Sequence, residues 1–364
     1  VSKEETGGSA FTTSIMDFAK KTEIHGFVDT SYIFNTNTPK SPNPHTNRLR
    51  VFDVDSNSFM LNLAEINLEK PVSQESPVGF RVDLDAGQDA EVFGATGLGT
   101  RDDEFDLQQA YVQLQLPFSL PYLYSLNAKI GKFVTLHGAE VIESVDNWNF
   151  SLSFLFGYAI PFNHTGVRLY YKPVESWPIE GYFGLVNGWD NVTDNNNGKT
   201  IESMIAVTPF ENFSVSVAGL FGPERADSND YRDLLDVVAT YKLTDKFTVK
   251  ANYDYGWERN GAGVGKNASW DGIAGYAKYD IFNWWSIAGR GEYFHDRDGV
   301  RTGLGVSDLK LWELTATSEF KIYKDIIARL EYRHDHADHE VFYHDNNGLT
   351  DYQNTLSAEM IYKF

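Results

Sequence analysis

Three carboxylates lie close together in one long segment between predicted strands, at Glu140, Glu143 and Asp146. Single arginines recur at widely separated positions on the polar faces of other predicted strands. Opposite charges that face each other across a water-filled gap create a strong local field, which sorts solutes by size and dipole. We therefore take these acids as one side of a candidate pore constriction, and as the other side the arginines Arg81, Arg168, Arg290 and Arg329.

The acids can reach the arginines only if the segment 137–163 folds inward. Its second half is unusually aromatic for a solvated loop, and includes Trp148, Phe154 and Phe156. We predict that this loop, the third of the long loops, enters the interior and packs against the wall. In the alternative arrangement the acids sit on a lid, and the arginines pair with neighbouring wall acids such as Asp83, Glu292 and Glu331.

Histidines gather near the end of the chain, where His334 and His336 flank an aspartate. Imidazole together with carboxylate can bind Zn, Ni or Cu. An i, i+2 pair points to one face of a strand, however, and no further ligand is fixed by spacing, so a hydrated loop is favoured. The Asp- and Asn-rich runs 190–198 and 345–348 do not follow a calcium-binding loop and are typical of turns. The sequence predicts no metal and no cofactor.

The elements that carry these charges show strict period-two alternation. In residues 77–86 every second residue is apolar, and 246–257 follow the same pattern without an exception. Such alternation indicates a strand with two chemically different faces. Between 24 and 364 we count about 16 such segments, each about 10 to 15 residues long, which suits tilted strands that cross a bilayer.

The connections alternate between short turns and long loops rich in Asp, Asn and Gly. A membrane barrel has short turns on the periplasmic side and longer loops outside. The prediction is therefore an all-β fold, a transmembrane antiparallel up-and-down β-barrel over 24–364 with an inward-folded third extracellular loop. A soluble β-sandwich or barrel is the alternative, but its strands are shorter and its long loops need not occupy every second gap.

Composition narrows the function classes. The chain has no cysteine, which removes disulfide scaffolds and thiolate sites, and its net charge of −20 disfavours nucleic acid as a partner. No stretch approaches the roughly 20 apolar residues of a spanning helix. Residues 1–23 are polar, and we interpret them as a periplasmic segment of a mature chain, with a short helix near Ser14 to Lys21 or a role as a plug.

Short motifs between 131 and 171 and at the end of the chain carry more than alternation. They are Gly131-Lys132-Phe133-Val134-Thr135, Gly138-Ala139-Glu140, Asn147, Asn149, Ser151, Ser153, Pro161, His164-Thr165-Gly166 and the final Tyr362-Lys363-Phe364. These motifs resemble the β-barrel porin-2 (OmpL-like) family of outer-membrane porins, and the resemblance extends loosely over 24–364. The resemblance implies a pore-forming protein of the bacterial outer membrane, and it transfers no catalytic set.

The resemblance to a porin family also implies how the chain is assembled, what surrounds it and what passes through it. Phe364 at the end of an alternating strand looks like the signal read by the barrel-assembly machinery, or it faces lipid in the aromatic girdle. Outer-membrane lipid and lipopolysaccharide are then the surroundings, and a homotrimer is expected by analogy with barrels of this size. A lumen of this width holds water and allows passive diffusion of small hydrophilic solutes or ions.

Two other functions use the same fold. An outer-membrane barrel enzyme needs a Ser/His/Asp or acid/His cluster at one rim, and the strand ends show none. A structural or conduit barrel that holds a partner protein needs a lumen lined by small apolar residues. The charged residues on the predicted inner face favour water instead.

Overall fold

The computed structural model describes residues 21–40, 45–73, 75–98, 104–117, 122–345 and 348–364. Sixteen antiparallel strands form one closed barrel, in which each strand pairs with the barrel strands before and after it and the first strand pairs with the last to close the ring. The prediction of a barrel with about 16 strands is confirmed. The barrel strands are β1 (Glu23–Asn35), β2 (Ser58–Lys70), β3 (Val78–Ala86), β4 (Phe105–Gln115), β5 (Ser125–Val134), β6 (Asn163–Lys172), β7 (Ile179–Val186), β8 (Thr200–Phe210), β9 (Phe213–Pro223), β10 (Tyr231–Lys242), β11 (Phe247–Glu258), β12 (Ala268–Phe282), β13 (Trp285–Asp296), β14 (Leu309–Tyr323), β15 (Ile326–Ala337) and β18 (Tyr352–Lys363).

The two faces of each strand have opposite chemistry. On β15 the outward Leu330 is 57% exposed, whereas its neighbours Arg329 and Glu331 are buried. On β14 Leu314 is exposed and Glu313 is buried. Because the apolar side chains lie outside and the charged ones inside, the arrangement is the reverse of a soluble sandwich, whose apolar faces form the core.

The segments outside the barrel strands carry little regular structure. A short helix, α1 (Gln88–Phe93), follows β3, and the last long loop contains a small hairpin of β16 (Phe342–Tyr343) and β17 (Leu349–Thr350). Among the described residues no helix has the length and apolar character needed to cross a membrane. The predicted helix at Ser14 to Lys21 lies outside the described residues except for Lys21.

An apolar cluster fills part of the barrel interior towards the long-loop end. Leu49 and Phe52 of the first long loop pack there with Ala90 and Phe93 of α1. The third long loop and the wall add further buried side chains, among them Phe154, Leu155, Trp270, Phe294 and Leu311. The sequence predicted an inward fold only for the third long loop, but the first two long loops also send apolar side chains into this cluster.

Gly256→Ala is expected to lower the free energy of unfolding by about 1 to 3 kcal/mol, the usual range for overpacking a core. Trp270 lies directly over Gly256, is fully buried, and donates from its indole nitrogen to Ala159 O at 3.1 Å. A methyl group at Gly256 collides with that indole. The measurement is the temperature at which purified barrel loses its native mobility on a gel.

Gly275→Ala is the matched control, because a methyl group there meets no described atom within 4 Å. Equal transition temperatures for the two variants would show that the packing of Trp270 does not constrain position 256.

Candidate functional site

The third long loop, here called L3 (residues 135–162), lies against the polar face of β11 to β15. Arginines of the wall hold its main chain by donating to peptide carbonyls. The bonds are Arg329 Nη2 to Asn147 O at 2.7 Å, Arg290 Nη1 to Ser151 O at 2.5 Å and Arg333 Nη1 to Leu152 O at 2.6 Å. Charge-assisted bonds of this kind are about twice as strong as neutral ones.

Carboxylates of the wall hold the peptide N–H groups of the same stretch. Glu331 accepts from the backbone of Phe150 at 2.7 Å and of Ser151 at 3.0 Å. Glu292 accepts from the backbone of Phe154 at 2.7 Å and of Leu155 at 2.5 Å. The wall therefore secures L3 mainly through its backbone, whatever side chains the loop carries.

Glu140 and Arg290 are in direct contact. Arg290 donates to Glu140 at 2.6 Å and to Glu313 of β14 at 2.7 Å, and it is 2% exposed. Glu140 also accepts from the backbone of Ser153 at 2.8 Å. The structure thus joins this acid and this arginine in one buried network, and does not leave them on opposite sides of a gap.

Two other arginines of the predicted constriction also form ion pairs with glutamates of the barrel wall. Arg329 forms ion pairs with Glu319 at 2.9 Å and Glu359 at 3.0 Å. Arg168 forms a two-pronged pair with Glu202, at 2.7 and 2.8 Å. Both guanidinium groups are buried, so their charge is compensated within the protein and they are not available to a solute.

A cavity of about 510 Å³ lies beside L3 and extends to the short-turn end of the barrel. Glu143 and Asp146 of L3 line one part of it, and Arg81 of β3 lines another. Arg81 donates to both carboxylate oxygens of Asp83 at 2.9 Å and remains partly exposed. Of the predicted constriction residues, the structure brings Glu143, Asp146 and Arg81 together around this open space.

The charge on Glu143 depends on its surroundings in L3. Burial raises the pKa of this carboxyl above its ordinary value, and the nearby negative charges of Asp83 and Asp146 raise it further. A backbone hydrogen bond and the guanidinium of Arg81 oppose that rise. The arginine and the acid therefore interact across the cavity, which gives this part of the lumen a polarised lining.

The histidine pair lies on the outer face of β15. His334 Nδ1 is 2.8 Å from Asn354 Oδ1, and the His336 ring lies 4.5 Å from the ring of Trp312. Within the described ranges no group of three or more His, Cys, Asp or Glu side chains is arranged to hold a metal ion.

The chain terminus completes the ring of strands. Phe364 and Gly26 exchange backbone hydrogen bonds at 2.9 and 3.1 Å, and the Phe364 side chain is 53% exposed on the outside, beside Tyr362. This position fits the aromatic girdle of a membrane barrel.

Sequence reasoning missed several contributors to the interior. Arg50 of the first long loop is buried against Asp53 and Asp335. Lys129 and Tyr111 line the cavity beside Arg81. The alternation of β4 and β5 places both side chains on the polar face, so their orientation was predictable, but their position beside the cavity was not.

A closed sixteen-stranded barrel with an apolar exterior and a charged interior defines an outer-membrane channel of the porin class. The family model described as "Putative beta-barrel porin-2, OmpL-like" matches residues 21–364, and the chain belongs to that family. Its location is therefore the bacterial outer membrane. The family and the fold are those of a channel.

Solved structures of outer-membrane proteins share the fold at low sequence identity. An anion-selective porin from Comamonas acidovorans is 10% identical, with a TM-score of 0.62, over 94% of this chain and 99% of that one. The outer membrane channel DcaP of Acinetobacter baumannii is 14% identical, with a TM-score of 0.57, over 94% and 97%. OmpT of Vibrio cholerae in its trimer form is 11% identical, with a TM-score of 0.57, over 94% and 99%. No curated protein sequence matches the chain significantly.

Proposed function

We propose that the protein lets small hydrophilic solutes and ions diffuse passively across the outer membrane, through a lumen that L3 narrows. The observation that carries the proposal is the polarised cavity beside L3, where Arg81 faces Glu143 and Asp146. Opposed charges at a narrow point favour small, polar solutes over large or apolar ones. The charge network of Glu140, Arg290 and Arg329 has the separate role of fixing L3 in place.

The surroundings of the barrel follow from the same proposal. Outer-membrane lipid and lipopolysaccharide surround the apolar exterior, and the barrel-assembly machinery reads the exposed Phe364. A homotrimer is proposed because one structural relative is described in a trimer form. We assign the protein no enzymatic activity, because its family and fold are those of a channel. We assign it no nucleic-acid partner, in keeping with its net charge of −20.

We also propose how the chain divides into domains. Residues 24–364 form the transmembrane barrel, with the long loops outside the cell. The predicted periplasmic segment 1–23 lies outside the described residues except for its last three positions, of which Glu23 already begins β1.

Planar-bilayer recording of purified protein tests the proposed function. We expect discrete conductance steps and a measurable reversal potential in a salt gradient, because a lumen with charged walls conducts ions selectively. A correctly folded barrel that inserts and stays silent would contradict passive diffusion.

Neutralising the L3 acids Glu143 and Asp146 is expected to shift the ion selectivity of the channel towards anions, whatever the selectivity of the parent. In the variant Glu143→Gln/Asp146→Asn the cavity keeps Arg81 and loses the two carboxylates that face it. The reversal potential should therefore shift towards anions. The matched control is Asp245→Asn, because Asp245 is exposed in a short turn and lies outside the lining of the cavity. Equal reversal potentials for parent, variant and control would show that these two acids do not contribute to the ion selectivity of the channel.

A further inference from the structure

Two carboxyl groups meet on the inner face of the barrel without a cation between them. Asp236 of β10 and Asp254 of β11 are register partners, both side chains are fully buried, and their carboxyl groups are in hydrogen-bonding contact. No donor reaches Asp236 Oδ1 or either oxygen of Asp254 in the described structure. Among the described residues, no lysine, arginine or histidine nitrogen lies within 4.0 Å of either carboxyl group.

The wall around this pair supplies no compensating charge. The residues opposite the pair on the flanking strands are Ala218 of β9 and Gly272 of β12. Glu292 of β13 adds a third negative charge to the surroundings. Further along β10 and β11, Arg232 pairs with Glu258 at 3.0 Å. Two buried carboxyl groups that lack both a cation and water therefore need another way to reduce their charge.

The pair is connected to the beginning of L3. Asn252 of β11 donates to Asp236 Oδ2 at 2.7 Å, and its own Oδ1 accepts from the backbone N–H of Ala139 at 3.0 Å. Asp236 also accepts a hydrogen bond from the backbone N–H of Gly138. A change of charge at the pair therefore acts directly on the contacts that hold the first residues of L3.

Other titratable groups at this end of L3 have partners of their own. Lys250 of β11 donates to the L3 backbone at 2.7 Å. His137 Nδ1 lies 3.0 Å from Thr135 Oγ1, and Glu140 pairs with Arg290 at 2.6 Å. None of these groups forms an ion pair with the two aspartates, so the charge of the pair depends on its own protons.

We propose that Asp236 and Asp254 share one proton at neutral pH, and that this proton keeps the beginning of L3 on the wall. The inference rests on the proposed narrowing of the lumen by L3. Two buried carboxylates in contact repel each other strongly, because no water separates or screens them. One shared proton converts this repulsion into a hydrogen bond from one carboxyl group to the other. When the proton leaves at alkaline pH, the repulsion displaces Asp236, and L3 loses its contacts at Gly138 and Ala139.

Asp254→Asn tests the shared proton. Asparagine has nearly the shape of a protonated aspartate, donates to Asp236 through its NH₂ group and has no proton to release in this range of pH. An infrared spectrum of the folded parent protein in D₂O at neutral pH should contain the C=O stretching band of a protonated carboxyl group. That band should lose intensity at alkaline pH and in Asp254→Asn. Asp236→Asn is the second variant, with the same expected result, because an amide on either strand replaces the proton.

Planar-bilayer recordings at neutral and alkaline pH test the effect on L3. The mean current of the parent and its fluctuations should increase at alkaline pH, and Asp254→Asn should lose this increase. A second readout does not need a current: the temperature at which the barrel loses its native mobility on a gel should fall with rising pH in the parent, and less in the variant. The matched control is Asp245→Asn, which removes an exposed carboxylate in a short turn and should behave like the parent.

The outcomes separate this inference from the channel function. An infrared band that is equally strong in parent and Asp254→Asn overturns the shared proton. Equal effects of alkaline pH on parent and Asp254→Asn, in current and in transition temperature, overturn the control of L3 by the pair and leave the channel function intact. A folded parent protein that carries no current at either pH overturns the channel function, while the infrared band and the transition temperature still decide on the pair.

Discussion

An Arg290→Ala variant is expected to conduct more current than the parent channel and to lose its native fold at a lower temperature. Arg290 donates to Ser151 O and to Glu140, and so connects L3 with the wall. Without the guanidinium, the buried Glu140 loses its ion-pair partner, and the buried Glu313 keeps only the longer contact with Arg333 at 3.6 Å. Breaking a buried pair by removing one partner costs about 3 to 5 kcal/mol. L3 should then leave the wall part of the time and widen the passage.

Single-channel recording and a thermal unfolding series on the same preparation measure the two effects. Arg297→Ala is the control, because Arg297 forms an exposed pair with Asp271, and exposed pairs contribute about 0 to 1 kcal/mol. If Arg290→Ala does not fold, Arg290→Lys keeps the charge but cannot make the forked contacts, and a smaller change in the same direction is expected. A parent-like conductance in a folded Arg290 variant would show that this contact does not position L3.

A Glu292→Gln/Glu331→Gln double variant is expected to show a noisier and larger current than the parent. Each carboxylate accepts from two consecutive backbone N–H groups of L3, with one oxygen for each. Glutamine offers one acceptor oxygen and turns an NH₂ group towards the second donor. A buried donor without an acceptor costs about 1 to 3 kcal/mol, and the double variant creates one at each position.

Recordings at fixed voltage give the mean current and its fluctuations. The matched control is Glu180→Gln, because Glu180 accepts from Tyr170 Oη at 2.9 Å on β6 and β7 and does not contact L3. Fluctuations equal to those of the parent would mean that the arginine bonds alone hold the loop.

The strands and turns were predictable because lipid and water impose different chemistry on the two faces of every strand. The alternation in 246–257 matches β11 (Phe247–Glu258) almost residue for residue. The end of a strand is harder to predict, and β7, for example, ends at Val186. Gly188 has a φ of 117°, which suits a turn, and Asn187 and Gly188 begin the next loop. Boundaries of this kind depend on turn geometry, which alternation does not encode.

The partners of the charged side chains were much less predictable. Arg168 pairs with Glu202, which is 34 residues away, because β7 lies between β6 and β8 and brings the two side chains together. Glu292 and Glu331 bind peptide N–H groups of L3, and a backbone contact leaves no pattern in the sequence of the loop. The charge types therefore indicated a polar lumen, but only the structure separates the charges that secure L3 from those that face open space.

The central claim is that water fills the polar face of the barrel while lipid covers the apolar face. The chain has no cysteine, so single cysteines can report on each face. Asp146→Cys places a thiol in the cavity, and Leu330→Cys places one on the exposed outer face of β15. A charged methanethiosulfonate reagent, added during a planar-bilayer recording, should reduce the current of Asp146→Cys in steps and leave Leu330→Cys unchanged. An unaffected Asp146→Cys together with rapid modification of Leu330→Cys would contradict the account.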